Sequence, residues 1–145
     1  THCTSSAASD VYKRQFLAPG KMKHAAEKIS STGNENILLT ERGTSFGYSL
    51  VSDMTSIPIM KTTGYPVVFD ATHSAQLPGD KHITEGQRDM IPVLAKSAVA
   101  AGCDGIFMEV HNDPSNAKSD ASTQWPLQNL KETLEVLISI YEAVR

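Results

Sequence analysis

The sequence predicts an α/β fold in which buried parallel strands alternate with amphipathic helices. Three apolar runs, Ile37-Leu38-Leu39-Thr40, Val67-Val68-Phe69 and Gly105-Ile106-Phe107-Met108, are continuous rather than alternating. Such runs suit strands covered on both faces. Between and after them lie segments whose apolar residues repeat with helical period. Strand–helix alternation of this kind builds a parallel sheet.

The chain opens on a segment unlike the rest. Thr1 to Asp10 is rich in Ser and Ala without an apolar period, and Val11 to Gln15 continues it as a short polar stretch. Residues 1–15 therefore read as a tail foreign to the fold, and the folded domain is expected over 16–145. Phe16-Leu17-Ala18 would be the first strand, ended by Pro19-Gly20. Met22, Ala25, Ala26 and Ile29 share one helical face, which Gly33-Asn34 closes. A short helix is predicted around Asp53 to Met60, limited by Pro58. Before the third apolar run, Thr84 and Gln87 have capping-box spacing. Leu94, Ala98 and Ala101 form one stripe that Gly102 ends. Pro92 requires a kink there or a helix that begins near it. Leu127, Leu130, Leu134, Leu137, Ile138 and Tyr141 mark a last helix with Pro126 as its first residue. These are four βα units, half of an eight-stranded barrel. No glycine-rich nucleotide fingerprint occupies any strand-to-helix turn.

Bulk properties narrow the function. The 145 residues are 40% hydrophobic and 20% charged, as in a globular domain, with a net charge of -3. That balance disfavours an extended nucleic-acid surface, which needs a basic face. Cys3 and Cys103 make no disulfide framework, so a reducing cytoplasm is the expected compartment. No apolar run reaches the ~18 residues of a membrane span.

The polar residues gather behind the strands. The first run leads into Glu41-Arg42-Gly43-Thr44, the second into Asp70-Ala71-Thr72-His73-Ser74-Ala75-Gln76. The third leads into Glu109-Val110-His111, with Ser119-Asp120 in the same loop. In a parallel barrel all these strand ends open on the active-site face. His73, Glu109 and Asp120 offer one imidazole and two carboxylates, a set suited to a divalent metal. Arg42 offers a planar fork for a phosphate or carboxylate. Each also has a plain structural role: a hydrogen-bonded loop histidine, a solvated strand end, a turn cap, an arginine paired with Glu41. A metal or phosphosugar site and these plain roles stand about level on residues alone. His111 fits a loop hydrogen bond or a place behind the ligands, and His24 and His82 fit solvated surface. Cys103, in the helix-to-strand turn Ala100-Ala101-Gly102-Cys103-Asp104, suits packing rather than nucleophilic attack.

Taken in order, the loop motifs resemble the 3-deoxy-D-manno-octulosonate 8-phosphate synthase family over about Phe16 to Arg145. They are Phe16-Leu17-Ala18-Pro19, Thr40-Glu41-Arg42-Gly43-Thr44 with Phe46-Gly47-Tyr48, and Ile57-Pro58-Ile59-Met60-Lys61. Asp70-Ala71-Thr72-His73-Ser74 with Gln76-Leu77-Pro78-Gly79, Phe107-Met108-Glu109-Val110-His111 and Ser119-Asp120-Ala121-Ser122-Thr123 complete the series. The resemblance implies a (β/α)8 TIM barrel, of which this chain would be the C-terminal half, assembled as a homotetramer when complete. It implies condensation of phosphoenolpyruvate with arabinose 5-phosphate, releasing phosphate, on the route to lipopolysaccharide. In the metal-requiring branch, which the Ser119-Asp120-Ala121 context resembles, cysteine, histidine, glutamate and aspartate hold a divalent ion such as zinc, iron or manganese. His73, Glu109 and Asp120 match the last three, with His73 and Asp120 also catalytic. Arg42 and Gln76 match substrate-binding positions.

Several positions depart from the family pattern. Its metal cysteine belongs to a strand upstream of this sequence, and Cys3 is no substitute. Lys13 does not align cleanly with the family's phosphoenolpyruvate lysine. Gly20 stands where tryptophan is common, and Gly47-Tyr48-Ser49-Leu50 lacks the usual paired asparagines. The isolated chain is accordingly expected to show little synthase activity. Two other readings compete: a related aldol enzyme using erythrose 4-phosphate, and a non-catalytic half-barrel that binds partners.

Overall fold

The computed structural model describes residues 10–14, 17–45, 50–77 and 85–145. Cys3, Phe16, Phe46-Gly47-Tyr48-Ser49, Pro78-Gly79, His82 and Thr84, on which several sequence expectations rest, lie outside the described residues.

Four parallel strands form the central sheet: β1 (Asp10–Arg14), β2 (Ile37–Glu41), β3 (Val67–Asp70) and β4 (Gly105–Phe107). They lie side by side in chain order, with Val11 opposite Leu38, Leu39 opposite Val67 and Val68 opposite Gly105. Just beyond β4, Val110–His111 pairs in parallel with Trp125–Pro126. The helices are α1 (Met22–Ser30), α2 (Ser56–Lys61), α3 (Ile91–Ala100) and α4 (Leu127–Ala143). An α/β fold with parallel strands is therefore present, as the sequence predicts.

The core follows from the apolar periods. Leu39, Val67 and Phe69 of the sheet are fully buried, as are Ile57 and Met60 of α2. α1 buries Met22 and Ala26, four residues apart. α3 buries Ile91, Ala95, Ala98 and Val99, the i, i+4, i+7, i+8 stripe of a helix packed on a sheet. Pro92 lies in the first turn of α3, where its missing N–H removes no helical bond. Gly102 closes that helix at φ +90°, a conformation that favours glycine.

Three expectations need correction. The first strand is Asp10–Arg14, so the boundary placed at residue 15 cuts behind an element of the sheet. A polar segment can join a sheet by backbone pairing with an apolar neighbour, whatever its own propensity. α2 begins at Ser56 rather than Asp53, whose Oδ1 accepts from the Thr55 N–H at 2.9 Å and the Thr55 hydroxyl at 2.6 Å, a turn competing with helix. Pro126 is extended and caps α4 instead of starting it. The apolar stripe of α4 is also mostly uncovered. Leu137 is buried, but Leu127, Leu134 and Ile138 are 54%, 44% and 55% exposed.

At the N-terminal edge of the sheet a polar knot joins three elements. Asp104 Oδ1 lies 2.8 Å from Lys61 Nζ, and Oδ2 accepts from the Val67 N–H at 2.9 Å. Lys61 Nζ also donates to the Gly102 carbonyl at 2.9 Å. Partial burial pulls the Asp104 carboxyl upward, but the Lys61 and Val67 hydrogen bonds outweigh it and hold the group below its ordinary value. No helix among the described residues is long and apolar enough to cross a membrane.

Candidate metal centre

Parallel strands deliver their C-terminal residues to one edge of the sheet, and the polar loops start there. β2 ends on Glu41, fully buried, and Arg42, half-buried, follows it. Glu41 accepts from the Gly43 N–H at 2.7 Å and the Ser56 hydroxyl at 2.6 Å, which ties the strand end to α2.

β3 ends on Asp70, also fully buried. The chain then turns into a single helical turn, His73–Ala75, that swings His73 back over Asp70. Asp70 Oδ1 accepts from the His73 backbone N–H at 3.0 Å, and Oδ2 meets His73 Nδ1 at 2.8 Å. Because the Asp70 carboxylate accepts at Nδ1, the proton of a neutral ring sits there and the lone pair is at Nε2. The ring stacks on Phe107 of β4, with centroids 6.0 Å apart. His73 is thus a nitrogen donor with its tautomer and orientation fixed from behind.

Glu109 follows β4. Its backbone N–H donates to Thr72 Oγ1 at 2.8 Å, and its carbonyl accepts from the Trp125 N–H at 2.8 Å. Its Oε1 lies 3.7 Å from His73 Nε2. Its Oε2 accepts from Gln124 Nε2 at 2.7 Å.

Asp120 starts the turn before Trp125 and has φ +50°, a left-handed conformation that aspartate tolerates better than most residues. Its carbonyl accepts from the N–H groups of Thr123 at 2.8 Å and Gln124 at 2.9 Å. Its Oδ1 accepts from Gln76 Nε2. Gln76 is placed by a short antiparallel pairing of Gln76–Leu77 with Glu85–Gly86. Gly86 in turn packs so closely on the Asp120 turn that a Cβ there would fall 2.2 Å from Thr123 Cγ2. Arg88 donates to the Ala121 carbonyl and braces the same turn.

One ligand atom from each of His73, Glu109 and Asp120 lies within 4.8 Å of the other two. Neighbouring ligands of one ion with bonds near ~2.1 Å stand about 3–3.5 Å apart, so these atoms would share one ion after drawing together by about 1–2 Å. One imidazole nitrogen and two carboxylates suit a divalent transition ion. The donor set therefore fits a metal. Of the residues singled out by sequence, the structure gathers His73, Glu109 and Asp120 into one cluster with Gln76 bonded to Asp120, and Arg42 stands just beyond β2. His111 holds its own loop, accepting from the Asp113 N–H at 3.0 Å. His24 is on exposed surface beside Glu27. Asp70 and Gln124 were not singled out as functional. Asp70 could have been found from its Asp-x-x-His spacing, which puts carboxylate and imidazole on one turn.

The family model described as the DAHP synthetase I family matches residues 6–145, a span that includes β1. The 2-dehydro-3-deoxyphosphooctonate aldolase of Xanthomonas campestris pv. campestris (strain B100) is 52% identical over 140 residues, 95% of this chain and 51% of that protein. The protein of the same name from Francisella tularensis subsp. novicida (strain U112) is 51% identical over 145 residues, 99% of this chain and 53% of that protein. The chain spans about half the length of the curated relatives it matches.

Proposed function

The chain belongs to the DAHP synthetase I family, and on that premise we propose that it forms the C-terminal half of a (β/α)8-barrel synthase. The proposed reaction joins phosphoenolpyruvate to arabinose 5-phosphate, giving 3-deoxy-D-manno-octulosonate 8-phosphate and inorganic phosphate. The observation that carries it is the convergence of His73, Glu109 and Asp120 at the C-terminal end of a parallel sheet. Relatives at half identity bear the matching enzyme name. A cytoplasmic homotetramer is the assembly we propose for the complete barrel. The uncovered stripe of α4 is consistent with further chain packing there.

In this reaction the methylene carbon of phosphoenolpyruvate bonds to the sugar aldehyde carbon. Water adds to the neighbouring carbon, and the carbon–oxygen bond to phosphate breaks. Arg42 provides a two-pronged donor for the phosphate or carboxylate of phosphoenolpyruvate. His73, Glu109 and Asp120 would hold a zinc, iron, manganese or similar ion, whose chemistry is Lewis-acid stabilisation of developing oxygen charge. Asp70 keeps His73 in the tautomer that leaves Nε2 available. Asp120 offers a carboxylate oxygen able to accept a proton from an adding water. In this reading Gln76, bonded to Asp120, contacts the substrate.

The test is phosphate release by the gene product carried to the length of its relatives, with added divalent metal. Release with arabinose 5-phosphate, lost on chelation and in His73→Ala, is the expected result. Release only with erythrose 4-phosphate would replace the sugar. A folded protein that releases phosphate with neither would leave a binding role.

A further inference from the structure

Glu109 is held more completely than a solvent-facing loop carboxylate needs to be. Gln124, only 8% exposed, gives its side-chain N–H to Oε2 at 2.7 Å. The Gln124 backbone N–H is bonded to the Asp120 carbonyl at 2.9 Å, and the next residue, Trp125, donates to the Glu109 carbonyl at 2.8 Å. On the other side, Thr72 Oγ1 receives the Glu109 N–H. The same turn that presents Asp120 therefore orients Glu109, and Thr72, the neighbour of His73, anchors its backbone.

We propose that Gln124 is the positioning residue that makes Glu109 a one-oxygen metal ligand. Oε2 is occupied by the amide, so Oε1, 3.7 Å from His73 Nε2, is the oxygen turned to the centre. A neutral donor does this without adding charge, where a lysine or arginine would offset the carboxylate. One-oxygen donation has a consequence for ion choice. Calcium takes 6–8 oxygens and readily uses both oxygens of a carboxylate. A site limited to single carboxylate oxygens plus an imidazole favours transition ions. Gln124 thus sets selectivity as well as affinity. This rests on the metal reading above.

The experiment measures Co²⁺ and Ca²⁺ dissociation constants on the chain, Co²⁺ by its visible d–d absorption and Ca²⁺ by competition. Gln124→Met keeps the length without a donor, and Gln124→Asn keeps the amide but shortens its reach. Thermal melting without metal accompanies each. The expected result is Co²⁺ binding weakened about 10- to 100-fold in both variants, with Ca²⁺ binding unchanged or tighter. The Co²⁺/Ca²⁺ preference then collapses while melting stays near wild type. An unchanged preference overturns the proposal, whether affinities hold or fall together with melting. Wild-type Co²⁺ binding lost in His73→Ala but kept in both Gln124 variants would sink this role alone. Absence of Co²⁺ binding by the wild type would sink the metal reading with it.

Discussion

His73 can act as a nitrogen donor because Asp70 lies one turn behind it, fully buried and within 2.8 Å of Nδ1. Asp70→Asn keeps the shape but removes the charge that supports the ring. It should weaken Co²⁺ binding about tenfold or more, as loss of an outer partner usually does. Equilibrium dialysis checks this, and unchanged affinity would reduce Asp70 to a turn former. Cys103 shows the opposite case, a group kept out of chemistry. Burial first, then the nearby Asp104 charge, pushes its thiol up to about 11. In a Cys3→Ser background, Cys103 should therefore resist a disulfide reagent at pH 8 until the protein is unfolded. Much of this was legible in the sequence. A histidine after an apolar run and an acid three residues before it can both be read from the chain. Gln124 could not be read, because its partner depends on a left-handed turn at Asp120 and a loop that returns to β4.

Among the elements, the Asp104 knot and the Asp120 turn make separate demands. Asp104 has a lowered folded pKa, so its contribution to stability is present above the ordinary value of 3.8 and lost as pH falls through the folded value. Lys61→Met should cost about 0.5 kcal/mol at pH 7, because the pair is partly exposed. That cost should fade as Asp104 protonates. Asp104→Ala should cost more, about 1–2 kcal/mol, because the Val67 N–H loses its acceptor. Urea unfolding at pH 7 and pH 3 separates these outcomes. At the opposite edge of the sheet, Gly86→Ala would push a methyl group into Thr123. It should loosen the Asp120 turn and lower Co²⁺ affinity with little change in far-ultraviolet circular dichroism. β2, β3 and β4 were visible in the sequence as continuous apolar runs. β1 and the Trp125–Pro126 pairing were not, because neither segment carries a continuous apolar run and each pairs with a strand distant in sequence.

For the molecule as a whole, the parallel sheet is in place while the α4 stripe is largely exposed among the described residues. Ile138 at 55% exposed and Leu134 at 44% lie on a helix whose period predicts burial. The chain should therefore self-associate in sedimentation at tens of micromolar, and Leu134→Lys with Ile138→Lys should reduce that association. The α/β alternation fixed the architecture at the level of a parallel sheet, but helical period alone could not say which stripe is covered within this chain. The central claim is that residues from two loops, one after β3 and one after β4, form a single divalent-metal site. Counting bound metal per chain after dialysis against Co²⁺ tests it most directly, using wild type, His73→Ala and Glu109→Ala. One ion per chain in the wild type, lost in both variants, is the result predicted from the clustered donors. One ion per chain in all three proteins would contradict it.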